Sequence, residues 1–109
     1  MKTEQPILIT SVSAAVAISK NLFVGFDGNL CAINAKALGV SNADTAQNEQ
    51  APIMANGIAL VLSGAAVSVA DKIASDANGK AVTYSTGEIN GFALDSAAGA
   101  DELIRVLLK

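Results

Sequence analysis

The sequence has no histidine and no tryptophan, one cysteine, one tyrosine and three phenylalanines among 109 residues. Each shortage excludes something. Without histidine, the commonest general base and the commonest transition-metal ligand are missing. Neither a Ser-His-Asp nor a Cys-His arrangement can then be built. Ser19-Lys20 is the one candidate serine–lysine pair, but neighbours in a strand point to opposite faces and would not meet. A lone cysteine, Cys31, rules out an intramolecular disulfide; between Leu30 and Ala32 it reads as a small buried hydrophobe. No G-x-S-x-G elbow and no phosphate loop occur. The aspartates never adopt the D-x-[DN]-x-[DN]-G calcium spacing, and Asp76-Ala77-Asn78-Gly79 reads as a turn. Four aromatics, Phe23, Phe26, Tyr84 and Phe92, are too few and too scattered for a base-stacking platform. The expectation is a protein that is not an enzyme, with no cofactor and no metal site.

Charge is equally sparse. Only 16% of residues are charged, the net charge is −3, and the seven basic residues are scattered. Phosphate binding needs a basic stripe, so nucleic acid is not an expected partner. No apolar run reaches transmembrane length; Ile58–Val69 comes nearest and carries Ser63 and Gly64, so no membrane partner is expected. The start of the chain has some features of a signal peptide: Lys2, the apolar run 7–18, and Ala15-Val16-Ala17. Glu4 and Pro6 interrupt that pattern, and the repeat described below would lose its first strand to cleavage.

What the sequence does have is alanine, about a fifth of the chain, with Val, Ile, Thr and Ser, punctuated every few residues by Gly, Asn or Asp. Alanine alone favours helix. Here the punctuation and the β-branched neighbours favour short strands and turns. With 51% apolar residues and a mean hydropathy of +0.45, a chain of this size is expected to keep some apolar surface outside. Such a patch usually marks a contact surface.

A degenerate repeat of about fifty residues runs through the chain. Ala14-Ala15-Val16-Ala17-Ile18 corresponds to Ala65-Ala66-Val67-Ser68-Val69, Leu22 to Ile73, Asp27-Gly28 to Asn78-Gly79, and Cys31 to Val82. After one residue of slippage, Leu38-Gly39-Val40 corresponds to Asn90-Gly91-Phe92. The expected organisation is an N-terminal arm over 1–6 and one β domain over 7–109, with pseudo-repeats at 14–62 and 65–108. Strands are expected at 7–12, 22–26, 30–33, 51–55, 58–62, 72–75, 81–84, 89–94 and 103–108. Hairpin turns are expected at Asp27-Gly28-Asn29, Asn56-Gly57 and Asp76-Ala77-Asn78-Gly79. About ten short strands at this spacing imply an all-β small barrel or sandwich. In the last strand, Leu103, Arg105 and Leu107 alternate with Ile104, Val106 and Leu108, so both faces are nearly apolar.

The second half resembles the capsid cement, or head-decoration, proteins of tailed bacteriophages. The resemblance is carried by Ser63-Gly64-Ala65-Ala66-Val67-Ser68-Val69-Ala70-Asp71-Lys72-Ile73-Ala74-Ser75-Asp76 and Asn78-Gly79-Lys80-Ala81-Val82. It continues through Ile89-Asn90-Gly91-Phe92-Ala93-Leu94-Asp95-Ser96-Ala97-Ala98-Gly99 and the closing strand 102–108. It covers residues 14–108 and is strongest from 63. The chain departs from the family pattern at Ala70-Asp71, where glycine commonly precedes the aspartate. It departs again at Ser19-Lys20, and in the lack of a glycine between Asp44 and Gln50. The resemblance implies a structural protein, made in the host cytoplasm and bound to the outer capsid surface of the virion. There it would bridge subunits of the major capsid protein, usually as a homotrimer. A tail or fibre-associated subunit and a surface adhesion module are the alternatives. Candidate interface residues are Met1, Lys2, Thr3, Glu4, Gln5, Pro6, Ile7, Leu8 and Ile9 of the arm, with Tyr84 and Arg105.

Overall fold

The computed structural model describes residues Thr3–Leu108, and the expectations at Met1 and Lys2 lie outside them. Among the described residues there is no helix; the chain forms eight strands. They are β1 (Gln5–Ser13), β2 (Phe23–Val24), β3 (Gly39–Ser41), β4 (Gln50–Leu62), β5 (Lys72–Ser75), β6 (Ala81–Thr83), β7 (Gly91–Ala93) and β8 (Leu103–Leu108). All pair antiparallel in one sheet ordered β2-β3-β4-β8-β7-β5-β6, with β1 added to β4 off that path.

The ends of the path meet. Phe23 N donates to Gly79 O at 2.7 Å, Gly64 N donates to Ala81 O at 2.7 Å, and Ser63 bridges Ala81. The sheet is thereby a nearly closed small barrel, one of the two all-β forms expected from the spacing of short strands. Closure hides the short terminal strands and removes most sheet edges.

The core takes up part of the alanine content. Ala51, Ala59, Ala74, Ala81 and Ala93 are all within 1% of complete burial, among Phe23, Met54, Ile73, Ile104 and Val106. A barrel of so few residues has a narrow interior, and small side chains let its walls approach. Consecutive residues also bury on opposite faces. Phe23 joins the barrel core, whereas Val24 joins a second cluster with Ala14, Ile18, Ala51 and Ile53, and both are 0% exposed. Strand alternation puts them on opposite faces, so β2 is covered on both sides. The covering layer is the segment 14–18, tied down by Ile18 N to Thr45 O and Thr45 N to Ile18 O, both 2.8 Å.

Three expectations differ from the structure. Residues 14–18 and 65–69 are not strands; each makes a single bridge, Ile18 to Thr45 and Val67 to Ala97. Their apolar residues cover a core without joining a ladder. Asn56-Gly57 is not a turn, and the two strands expected on either side are one 13-residue strand, β4. The register between β1 and β4 slips at Pro6/Leu8 and Leu8/Ile9, opposite these residues. Gly57 has φ +109°, and a Cβ there would lie 2.3 Å from Gln5 O. The Asn-Gly pair serves a bulge, which needs the same freedom of φ as a hairpin turn. The hairpin expected over 22–33 is also reduced, to one bridge between Val24 and Leu30.

Elsewhere the turn chemistry acts as expected. Asp76 Oδ1 accepts from Asn78 N and Lys80 N, both at 2.8 Å, and Gly79 takes φ +76°, which joins β5 to β6. Asp27 does the same in the first half, accepting from Asn29 N at 3.1 Å with Gly28 at φ +84°. The pairing order also recurs: β2 to β3 to β4 in the first half, β5 to β7 to β8 in the second.

Candidate interaction surface

Strand β1 is the feature that burial leaves unexplained. Every residue from Gln5 to Ser13 is exposed except Val12, which is half-buried. Ile7, Leu8 and Ile9 are 78%, 54% and 46% exposed. Because they are consecutive, the strand shows apolar side chains on both faces. Among the described residues it pairs with β4 on one side only, so its other edge, as far as the Gly28 turn at Ser13, carries backbone donors and acceptors that no strand takes up. No charged residue occurs from Gln5 to Ser19 or from Gln50 to Ala70, which includes all of β1 and β4. The long ribbon of the molecule is thus uncharged. Thr3 is exposed ahead of it; Glu4 is half-buried, and the Asn42 amide, turned with its nitrogen toward it, donates to both carboxylate oxygens at 2.9 and 3.1 Å.

An outward face adjoins it. On β8, Ile104, Val106 and Leu108 are buried while Leu103, Arg105 and Leu107 face out. Across the ladder Leu62 pairs with Leu103, Leu60 with Arg105, and Ile58 with Leu107. Gln5 of β1 pairs with Ile58, so Gln5, Ile58 and Leu107 stand in one row. The face is apolar apart from Arg105, whose charge is held within the chain. Its Nε donates to Asp95 Oδ2 at 3.0 Å, and its terminal guanidinium nitrogen donates to Oδ1 at 3.1 Å. This fork, with Arg105 N to Asp95 Oδ2 at 2.9 Å, anchors the link after β7. A bidentate pair fixes geometry more firmly than a single contact.

Tyr84 lies apart from this region, half-buried just after β6, where its N donates to Lys72 O at 2.8 Å. The structure therefore groups Gln5–Ile9 with the Arg105 face and leaves Tyr84 on the β5–β6 side. Sequence reasoning missed Ile58, Leu60 and Leu62 as surface residues. Their alternation with buried Ala59 and Val61 was the available signal. It also missed Phe26 and Ile33, 66% and 63% exposed. Phe26 and Lys36 form the wall between two open grooves of about 280 and 310 Å³, lined mainly by small and apolar residues. Lys36 Nζ donates to Ile89 O at 3.0 Å, which holds that wall in place.

Among the described residues, no three His, Cys, Asp or Glu side chains come together as metal ligands. Cys31 is buried, donates weakly to Ala32 O and Ala35 O at 3.5 and 3.4 Å, and burial raises its pKa, which disfavours the thiolate. What the surface offers is an uncharged, apolar, extended ribbon, which suits contact with protein.

Residues 1–108 match the family model for phage cement protein. The chain belongs to the phage cement protein family. Membership makes it a structural, virion-associated protein of the phage capsid and implies a role other than catalysis. The fold has a solved counterpart in the head fibre gp8.5 N base of bacteriophage phi29, with a TM-score of 0.79 at 15% identity. The similarity covers 94% of this chain and 93% of that one. At that identity the likeness speaks for the barrel and its topology. No curated protein matches the sequence.

Proposed function

We propose that this phage cement protein decorates the outer surface of the assembled capsid and stabilises it by bridging major capsid subunits. The observation that carries the reading is the uncharged, two-sided apolar surface of β1, continuous with the outer face of β4 and β8. A cement protein needs surface that is costly to leave wet and inexpensive to bury against protein. Burying apolar area contributes about 25 cal/mol per Å², and here no charged group of the ribbon has to be desolvated.

Bridging follows from the arithmetic of binding only to the assembled state. A ligand that meets two neighbouring subunits at once stabilises their contact and has no equivalent site on either alone. Each contact can be modest, because many copies on one shell act together. Self-association into trimers at local three-fold positions belongs to the same proposal, with Leu103, Leu107, Ile58 and Leu60 as its contact face. The partners are protein, with neither nucleic acid nor membrane required, and the protein is made in the host cytoplasm before it reaches the shell. The shared barrel also favours a second reading, a base that fastens a head fibre.

Co-sedimentation with assembled, DNA-free shells tests this. Saturable binding, with shells then surviving higher temperature or denaturant at unchanged diameter, is the expected result. Failure to bind intact shells at protein excess would remove the proposal. Binding with thin projections and no gain in shell stability would favour the fibre-base reading.

A further inference from the structure

From the geometry of β1 we infer that a second copy of this chain pairs with it: two β1 strands join antiparallel, edge to edge, across a two-fold axis. The inference concerns contact between copies and is independent of the capsid partner.

Three observations lead there. First, β1 is a nine-residue strand with one edge on β4 and the other paired with no strand among the described residues, while the rest of the sheet closes on itself. Long, exposed, apolar edges of this kind are templates for another strand, and folded proteins usually blunt them with charge, proline, bulges or a covering loop. Here Pro6 and a bulge lie near the start and the turn at Gly28 covers the edge at Ser13, while the stretch from Ile9 to Val12 has a regular register on β4 and no blunting device.

Second, the topology limits which strand of another copy can be met. Strand addition that joins unlike edges needs two free edges per molecule. The remaining path ends, β2 and β6, have two and three residues, and each is met by other backbone of the same chain, Phe23 N donating to Gly79 O and Gly64 N to Ala81 O. Only β1 is long enough to match β1. Joining like to like gives an isologous, two-fold contact, and in a sheet an isologous edge contact is antiparallel.

Third, the charges favour this surface above others. Each copy carries a net charge of −3, so copies repel. The ribbon of β1 and β4 holds none of that charge. Pairing about Ile9 sets Leu8 against Thr10, Ile7 against Ser11, and Pro6 against Val12, with no like charges opposed. The contact is small. One strand edge covers less than the ~800 Å² per partner of a standard interface, so the pair forms and dissociates with concentration. On a shell, where copies are held close, the same contact is favoured by proximity.

Position-dependent disulfide trapping tests this. In a Cys31→Ala background, one cysteine is placed at a time at Ile7, Leu8, Ile9, Thr10 or Ser11, and covalent pairs are measured after mild oxidation. Opposed residues of antiparallel strands have Cα atoms about 4.5–5.5 Å apart, within disulfide range. The yield should peak at one position and fall at least about fivefold two residues away. A second measurement uses the unaltered chain: amide exchange of residues 5–13 should slow at least about tenfold on going from dilute to concentrated protein. Ile9→Lys should abolish that dependence, whereas Val69→Lys, at another exposed site, should keep it. Absent or uniform trapping, or exchange in β1 that ignores concentration, overturns the inference. Shell binding is scored separately. A chain that binds shells without pairing β1 retires only this contact, and a chain that pairs β1 but ignores shells retires only the capsid proposal.

Discussion

Replacing Gly57 by alanine should release β1 and leave the barrel standing. Gly57 sits at φ +109°, where an L residue is strained by about 1–3 kcal/mol. The added Cβ would also lie 2.3 Å from Gln5 O and 2.8 Å from Ile7 N. Both atoms belong to β1, and none of the three nearest atoms belongs to β8, which Gly57 also faces through Leu108. The strain is therefore relieved by moving β1. That strand has little to hold it, since its only partly buried residue is Val12. A penalty of about 2–3 kcal/mol multiplies the open population of β1 by roughly 30 to 150. Amide exchange read residue by residue should show this acceleration over residues 5–11 and at the β4 amides that face them, with β7, β8 and residues 59–62 of β4 unchanged. Gly99→Ala is the control, since nothing lies within 4 Å of a Cβ there. Exchange in β1 within about threefold of the parent, or acceleration in β8 instead, would refute the reasoning.

Asn90→Ala removes the acceptor for Ala37 N at 2.9 Å and the donor to Ala35 O at 3.1 Å, in a buried site. Calorimetry should show a loss of about 2–3 kcal/mol, or roughly 10 °C in Tm; a change under about 2 °C would deny Asn90 its bracing role. Cys31 should react with a thiol reagent at least about 100-fold more slowly in native protein than in denaturant, because burial both shields it and raises its pKa. Equal rates would place it at the surface. Hydrogen bonds from Asn29 lower the Asp27 pKa, so its contribution is present above the ordinary carboxylate pKa and is lost as pH falls through the lowered value. Thermal melts of the parent and Asp27→Ala should differ most near neutrality and converge in acid; a gap that widens in acid would reverse the assigned sign.

The sequence showed most clearly those elements whose signals are local. Lys72–Ser75, the Asp76–Gly79 turn and Leu103–Leu108 could be read directly because alternation and turn chemistry act within a few residues. Asn56-Gly57 was misread because the need for positive φ is common to turns and bulges, and only the neighbouring strand decides between them. Residues 14–18 were misread because an apolar loop covering a core has the composition of a strand. The candidate surface was legible in part. The run Ile7-Leu8-Ile9 announced an apolar segment, but its exposure on both faces depends on the barrel having closed without it. The outer row of Ile58, Leu60 and Leu62 depends likewise on which side of β4 faces Ile73, Ile104 and Val106.

The most direct test of the whole account is an image reconstruction of shells incubated with the protein and compared with bare shells. The account predicts added density of the barrel's size, about 35 × 28 × 22 Å, on the outer surface. Each added density should touch at least two major capsid subunits, with β1 covered. Density confined to the shell interior or the tail, or bound through a single subunit with β1 left bare, would contradict it.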